Sequence, residues 1–348
     1  MVSNIPAMSR EYRLAKNEGI QSLTLREAPV PTPGDKEVLV KIHAVSLNYR
    51  DLLVANNAHP FHNKPNLVPA ADASGTVVAL GPAVTRWRVG DRISSNLAPD
   101  HIHGDAGPGG LGPVLGGSVD GVLTEYRVFA EHSLVRIPAN LTHAEAATLP
   151  CAGVTAYNAL LGPRPVRAGD TVLVLGTGGV SVFALQIARA SGAAVIVTSG
   201  SDEKLARATQ LGATHVINYK KTPDWEEEVL RLTNGRGVDH VIEVGGPGTF
   251  DKSIAAVRMQ GNIHVIGFLA GAADVPNLPM KILQKGINVR GILVGPRSSF
   301  EELVRLVEAN DVKPAVDRAF PFEQAREAYA HLQAQRHVGK VVIQVAED

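Results

Sequence analysis

The stretch TVLVLGTGGVSVFALQIARASGA, Thr171 to Ala193, most constrains what this chain can fold into. It opens with an apolar, β-branched run, Val172 to Leu175, suited to a strand buried on both faces. Gly176, Gly178 and Gly179 then let the backbone turn sharply and come close to a pyrophosphate. The helix expected from about Val180 to Ser191 aims its free N–H groups and positive dipole end at that turn. The stretch reads as a phosphate cradle. Ser181 stands where the last glycine of G-x-G-x-x-G usually does, so the motif alone is equally a tight strand-to-helix turn.

The residues that follow decide between the two. Expected strands at 171–175, 194–198, 215–218, 238–244, 261–266 and 287–294 alternate with helices at 179–191, 202–211, 224–233, 248–258 and 278–285. Such alternation predicts a parallel sheet covered on both faces. The glycine turn therefore follows the first strand of a doubly wound α/β domain, where a dinucleotide fold needs it.

The preceding half has a different grain. From Tyr12 to about Val135, short strands such as Val38 to Leu47 and Gly75 to Val84 are broken by turn chemistry, including the Pro-rich Ala28 to Glu37. They predict an irregular, mostly β domain. A glycine-dense loop from Ala98 to Ser118 holds His101 and His103, which without further ligands read as a solvated loop rather than a metal site. Leu141 to Leu161 looks helical in two pieces, with Thr142 and Glu145 spaced as a capping box. After Pro296 come a helix from Ser299 to Ala309, a helix from Glu323 to Gln335 and a strand in GKVVIQV. These do not continue the βα series and are expected to complete the β-rich domain.

A chain of 348 residues suggests two domains, 1–149 with 297–348 for the β-rich one and 150–296 for the nucleotide-binding one. Lys+Arg and Asp+Glu both total 34, so there is no basic excess of the kind that nucleic acid or anionic membrane partners select. Cys151 is the only cysteine, which excludes an internal disulfide and an all-cysteine metal site and fits a reducing compartment. With no leader pattern and no run near the roughly 20 apolar residues of a span, a cytoplasmic protein is expected.

The order of parts resembles the medium-chain dehydrogenase/reductase superfamily along nearly the whole chain, and most of all its zinc-independent, quinone-oxidoreductase-like members. SLNYRD (Ser46 to Asp51), VPAADASGTVVALG (Val68 to Gly81), VGDR (Val89 to Arg92), LPCAGVTAY (Leu149 to Tyr157), LGTGGVS (Leu175 to Ser181), LGATHVINY (Leu211 to Tyr219) and GKVVI (Gly339 to Ile343) carry the resemblance. It implies a GroES-like, mostly β catalytic domain, a Rossmann domain for a nicotinamide cofactor, and a cleft between them.

NAD enzymes usually place an acid at the end of the second strand, about 20 residues past the glycines. Here that position is Gly200, flanked by Ser199 and Ser201. Lys204 and Tyr219 stand at positions similar to those that grip the 2′-phosphate in NADPH-using quinone oxidoreductases. Lys204 alone reads as a solvated lysine; with no acid present, the set points to NADPH. Asp202 is expected to cap the following helix. The resemblance also places Gly176, Gly178, Gly179 and Val180 on the cofactor, with Thr155, Val265, Gly267, Phe268, Leu293 and Val294 around the nicotinamide.

Zinc alcohol dehydrogenases of the superfamily use a Cys, a His preceding an acid, and a second Cys. The matching positions are Asn48, Ala71 with Asp72, and Cys151. A catalytic zinc needs about three N or S ligands, so no metal is expected and Cys151 reads as a small buried residue. Without a Lewis acid, reducing a C=C bond conjugated to a carbonyl is less demanding than oxidising an alkoxide, because hydrogen-bond donors can hold a delocalised enolate. Asn48 is either a donor to the substrate oxygen or a holder of its loop. Thr155 either lines the nicotinamide or bonds back to its own helix, and Arg50 with Asp51 reads as a structural ion pair. The proton source stays open among Tyr49, His59 and solvent.

These residues lead to an expected NADPH-dependent, zinc-independent reductase of quinones or α,β-unsaturated carbonyl compounds. The alternatives are a metal-free alcohol or carbonyl oxidoreductase and a low-turnover NADPH-binding protein. The strand INVRGIL, expected at the sheet edge, is a candidate to pair across a two-fold axis in a homodimer.

Overall fold

A computed structural model describes residues 5–15, 18–60, 63–108, 110–270 and 274–347. Residues 61 and 62, shortly after His59, residue 109 in the glycine-dense loop Ala98 to Ser118, and residues 271–273, shortly after Phe268, lie outside the described residues. The chain divides into two units, Met1–Val154 with Pro296–Asp348, and Thr155–Gly295.

The second unit is built on six parallel strands. In spatial order they are His215–Asn218, Ala194–Ser199, Thr171–Leu175, Val238–Glu243, Val257–Val265 and Asn288–Gly291. The winding direction reverses between Thr171–Leu175 and Val238–Glu243, which opens a crevice at their carboxyl ends. Apolar residues dominate both faces because helices cover both. On one helix, Gly179–Ala190, Val182, Phe183, Leu185 and Ile187 are buried. Trp225 and Val229 of Trp225–Leu232, with Phe250 and Ile254 of Pro247–Ala256, join Leu173, Ile196, Val241 and Ile263 in one core cluster. Each such side chain contributes roughly 1.5–3 kcal/mol by leaving water. The doubly wound sheet predicted from the βα alternation is therefore present. Its last strand stops at Gly291 rather than 294, and three residues on Val294 has a φ of 53°, which no strand residue adopts.

The first unit centres on Glu37–Leu47, a strand buried along nearly its whole length. It pairs antiparallel with Lys340–Gln344, Asp72–Leu80 and Tyr126–Ala130. Arg92–Ser95, Leu134–Arg136 and Val316–Pro321 complete the seven-stranded sheet. The C-terminal strands thus return to the β-rich unit, giving the mostly β, GroES-like architecture. A two-stranded ribbon, Met8–Leu14 with Leu23–Pro29, stands apart from it. The capping box forms: Glu145 N donates to Thr142 Oγ1 at 3.2 Å and Thr142 N to Glu145 Oε2 at 2.8 Å. Among the described residues, no helix is long and apolar enough to cross a membrane.

Candidate active site

Strand pairing in the first unit assembles one buried polar cluster. Ser46 lies opposite Asp72 and Leu47 opposite Val341, so three strand ends bring Asn48, Asp72 and Lys340 together. Asn48 Nδ2 donates to Asp72 Oδ2 at 2.9 Å, and the Lys340 ammonium donates to Asn48 Oδ1 and, at 2.6 Å, to the Leu47 carbonyl. Cys151 N donates to Asp72 Oδ2 at 3.1 Å. Asn48 N donates to Asp51 Oδ2 at 2.8 Å, while Arg50 Nη1 pairs with Asp51 Oδ1 at 3.1 Å. The amide of Asn48 is therefore oriented from both ends, with one N–H left on Nδ2. Lys340 is only 3% exposed, a buried cation held by neutral carbonyls.

Burial sets the protonation of this cluster. It pushes the Asp72 carboxyl up to about 6, against the opposing pull of the Lys340 charge and the Asn48 hydrogen bond. The Cys151 thiol is pushed up to about 12, by burial and then by the Asp72 charge, so it keeps its proton at neutral pH. Burial also raises Asp51, with Arg50 opposing it. Ala71 offers no donor atom and Asn48 Oδ1 is bonded to an ammonium that repels a cation, so of the three positions only Cys151 offers a donor of the kind zinc takes. These residues do not fit a zinc ion. Among the described residues, no three His, Cys, Asp or Glu side chains converge to hold a metal.

The two candidate proton donors lie differently. Tyr49 opens the helix Tyr49–Ala55 and is 39% exposed, and His59 sits half-buried in the turn beyond it. The hydrogen bonds of the buried cluster run through Asn48, Asp72, Cys151 and Lys340 instead.

In the second unit the glycine turn has the form of a cradle. Gly176 takes a left-handed φ of 73°, and a Cβ added at Gly178 would meet nothing within 4 Å, so the turn is open where a phosphate would approach. Gly179 and Val180 begin the helix behind it. Ser181 is buried and its hydroxyl donates to the Leu175 carbonyl at 2.7 Å. A serine thus ties helix to strand where the usual motif packs a glycine.

The end of the second strand carries Ser199 and Gly200. A Cβ at Gly200 would lie 2.8 Å from the Tyr219 hydroxyl and 3.0 Å from Lys220 Cε, so both side chains are stacked over that glycine. Tyr219 is 43% exposed. The helix Asp202–Gln210 is capped by Ser201, whose hydroxyl accepts from Lys204 N, and not by Asp202 as the sequence suggested. Asp202 lies one residue inside the helix, and its carboxylate takes Lys221 Nζ at 2.6 Å and Asn218 Nδ2 at 2.7 Å. These two partners hold its carboxyl below the usual range. Asp202 is engaged by Lys221 and Asn218 and no acid stands at 199–201, while the Tyr219 hydroxyl and the Lys220 side chain over Gly200 are donors of the kind that could hold a ribose or its phosphate.

Other carboxyl-end segments are fixed by residues that the sequence reading passed over. Glu243, fully buried, accepts from Gly245 N at 2.8 Å, Gly246 N at 2.9 Å and Thr249 Oγ1 at 2.7 Å, and from the Ser253 hydroxyl. A Cβ at Gly246 would lie 2.7 Å from Phe268 Cα, which fixes Phe268 close to that turn. Gly267 follows the strand ending at Val265 and packs against the Val244 carbonyl. Thr155 is buried near the start of Val154–Leu161. Asn158 of the same helix donates to the Val294 carbonyl at 2.6 Å, next to exposed Leu293, and accepts from Arg290 at 2.8 Å. Of the unread residues, only Lys340 gave a signal: it is the one charge opening an otherwise apolar run, VVI.

Residues 34–139 match the alcohol dehydrogenase GroES-like domain and residues 179–309 match the zinc-binding dehydrogenase family. The latter stretch contains none of positions 48, 71 and 151. The chain is 46% identical over 335 residues to a zinc-type alcohol dehydrogenase-like protein of Schizosaccharomyces pombe, covering 94% of this chain and 96% of that one. It is 28% identical over 345 residues to a quinone oxidoreductase of Pseudomonas aeruginosa, covering 97% and 99%. A solved structure from Sinorhizobium meliloti 1021 carrying an alcohol dehydrogenase name superposes with a TM-score of 0.92 at 43% identity, covering 98% of this chain and all of that one.

Proposed function

The chain belongs to the medium-chain dehydrogenase/reductase superfamily and is an oxidoreductase of the nicotinamide-dependent kind, and on that premise we propose that it is an NADPH-dependent, zinc-independent reductase of quinones or α,β-unsaturated carbonyl compounds. The observation that carries this reading is the link from Lys340 through Asn48 to Asp72, which ties up Asn48, the residue at one of the three positions where zinc relatives keep a ligand. The match to a zinc-binding family does not bear on it, since that match covers only residues 179–309.

A bound NADPH supplies a hydride. The chain's own residues do the rest. Gly176, Gly178, Gly179 and Val180 take the pyrophosphate, and Ser199, Gly200, Lys204, Tyr219 and Lys220 hold the 2′-phosphate. Thr155, Val265, Gly267, Phe268, Leu293 and Val294 orient the nicotinamide. Asn48 directs its remaining N–H at the substrate oxygen, and the Lys340 charge on its Oδ1 strengthens that donor as negative charge develops on the oxygen. Asp72 keeps the amide from rotating. The proton that completes an enone's reduction at the α-carbon comes from solvent, Tyr49 or His59.

The alcohol dehydrogenase-like name of the Schizosaccharomyces pombe relative supports a second reading, an alcohol or carbonyl oxidoreductase, which the residues at 48 and 71 would make metal-free although that name is of the zinc type. In either case the edge strand Asn288–Gly291, with Val289 exposed, is the surface proposed for a homodimer. NADPH and NADH consumption with an enone, a quinone and a ketone, with and without a chelator, separates the readings. Turnover of the enone or quinone that survives the chelator supports the first. Chelator-sensitive turnover with about one zinc per chain would overturn it.

A further inference from the structure

We propose that the first unit holds a second ligand site, a cavity under the N-terminal ribbon that takes a small organic anion with an apolar body. The cavity has a volume of about 460 Å³, within the range of small-molecule sites. One wall comes from the ribbon. Ser9, Glu11 and Arg13 alternate onto one face of Met8–Leu14, and the register sets Arg26 beside Glu11. The strand Tyr126–Ala130 adds Tyr126 and Arg127 to the lining.

The charge of this lining is unbalanced. Three guanidiniums face one carboxylate, and that carboxylate is spoken for: Glu11 Oε1 accepts from Arg13 Nε at 2.8 Å and from Arg26 Nη2 at 2.7 Å. The nearby Asp120 does not restore the balance, because Lys64 Nζ at 2.6 Å, Arg13 Nη1 at 3.2 Å and Val68 N at 2.9 Å occupy it. Arg127 is the decisive residue. It is half-buried, lies 5.9 Å from the Phe129 ring centroid and, among the described residues, makes no ion pair and gives one hydrogen bond, from Nη2 to the Asp120 carbonyl at 2.6 Å. Its Nε is buried without an acceptor. A guanidinium whose Nε is shut off from water, with only a carbonyl and a ring face beside it, leaves a charge that an anion in the cavity would complete. Beside the hydroxyls of Ser9 and Thr124, the residues Pro29, Pro31, Val68 and Val128 give the lining an apolar side, which favours an organic acid over a bare inorganic ion. The head group is an oxyanion, carboxylate or phosphate, matched to guanidinium geometry.

The site is independent of the nicotinamide chemistry and is tested without it. Calorimetric titration of the full chain would use benzoate, phenyl phosphate, inorganic phosphate and, as a neutral control, benzamide. Benzoate or phenyl phosphate is expected to bind at least about tenfold more tightly than benzamide, and Arg127→Gln to abolish that preference. The stronger of the two acids identifies the head group. Arg26→Gln, at a half-exposed position, serves if Arg127→Gln does not fold. Anomalous scattering from 4-bromobenzoate in crystals is expected to place bromine in the cavity. Equal binding of benzoate and benzamide, binding of inorganic phosphate alone, or unchanged binding in a folded variant would overturn the site, as would bromine located only elsewhere.

Discussion

The Lys340 ammonium and the Asn48 side-chain carbonyl are bonded across 292 positions of chain, and that contact fixes which way the Asn48 amide faces. Lys340→Met removes the charge while keeping the stem. The carboxyl of Asp72 then loses its main opposing cation and the Asn48 N–H becomes an ordinary donor. Enone turnover is expected to fall by roughly 10²-fold in kcat, the scale of a lost oxyanion donor, with the KM for NADPH little changed. Steady-state kinetics with a circular dichroism check of folding decide this. A kcat within a factor of two of the parent would remove Lys340 from the chemistry.

Asp72 gives a pH signature of its own. Its folded-state value of about 6 lies above the ordinary 3.8, so the folded protein binds the proton more tightly than the unfolded chain. Its contribution to stability is complete below about pH 4 and is lost as pH rises through about 6, a span on the order of 3 kcal/mol. Asp72→Asn removes this titration and keeps an oxygen acceptor for Asn48 and Cys151. Chemical denaturation at pH 4, 5, 6 and 7 should give a variant whose stability falls less across that range than the parent's. Parallel pH curves for the two proteins would contradict the raised carboxyl.

The proposed preference for NADPH rests on the Tyr219 ring over Gly200. A methyl at 200 would meet the Tyr219 hydroxyl oxygen at 2.8 Å, so Gly200→Ala displaces the ring and Lys220 with it. Removing a charge-assisted phosphate contact costs about 1.5–3 kcal/mol. Gly200→Ala and Lys204→Ala are each expected to raise the KM for NADPH about tenfold or more and to leave that for NADH within a factor of three. Equal effects on the two cofactors would argue that these residues do not read the 2′-phosphate.

Local pattern made half of this molecule legible and strand pairing made the rest. The parallel sheet was readable because each buried strand and each covering helix announces itself within about ten residues, as Val172 to Leu175 and the helix after Gly178 do. Asn48 was readable as a position but not as a role, since its two partners, Asp72 and Lys340, reach it through the register of three strands. Asp202 misled because Asp and Ser are comparable caps, and only the backbone decides which stands first outside the helix. Arg127 gave no signal at all: an arginine in a β-strand is ordinary until the N-terminal ribbon is folded beside it.

Val294 stores strain at the proposed nicotinamide rim. A β-branched residue at φ 53° is an outlier costing about 1–3 kcal/mol, and it persists because Asn158 Nδ2 holds its carbonyl at 2.6 Å. Val294→Gly relieves the strain and adds unfolded-state entropy worth about 0.4–1 kcal/mol, so the variant should be as stable as the parent or up to about 2 kcal/mol more so. Asn158→Ala instead frees the carbonyl and leaves Arg290 without its side-chain acceptor, and is expected to cost roughly 1–3 kcal/mol. If the constrained backbone positions the cofactor, both variants bind NADPH more weakly although their stabilities move in opposite directions. Thermal unfolding paired with NADPH titration reads both quantities. A Val294→Gly protein that binds NADPH as tightly as the parent would mean that the left-handed residue serves only the turn between Gly291 and Pro296.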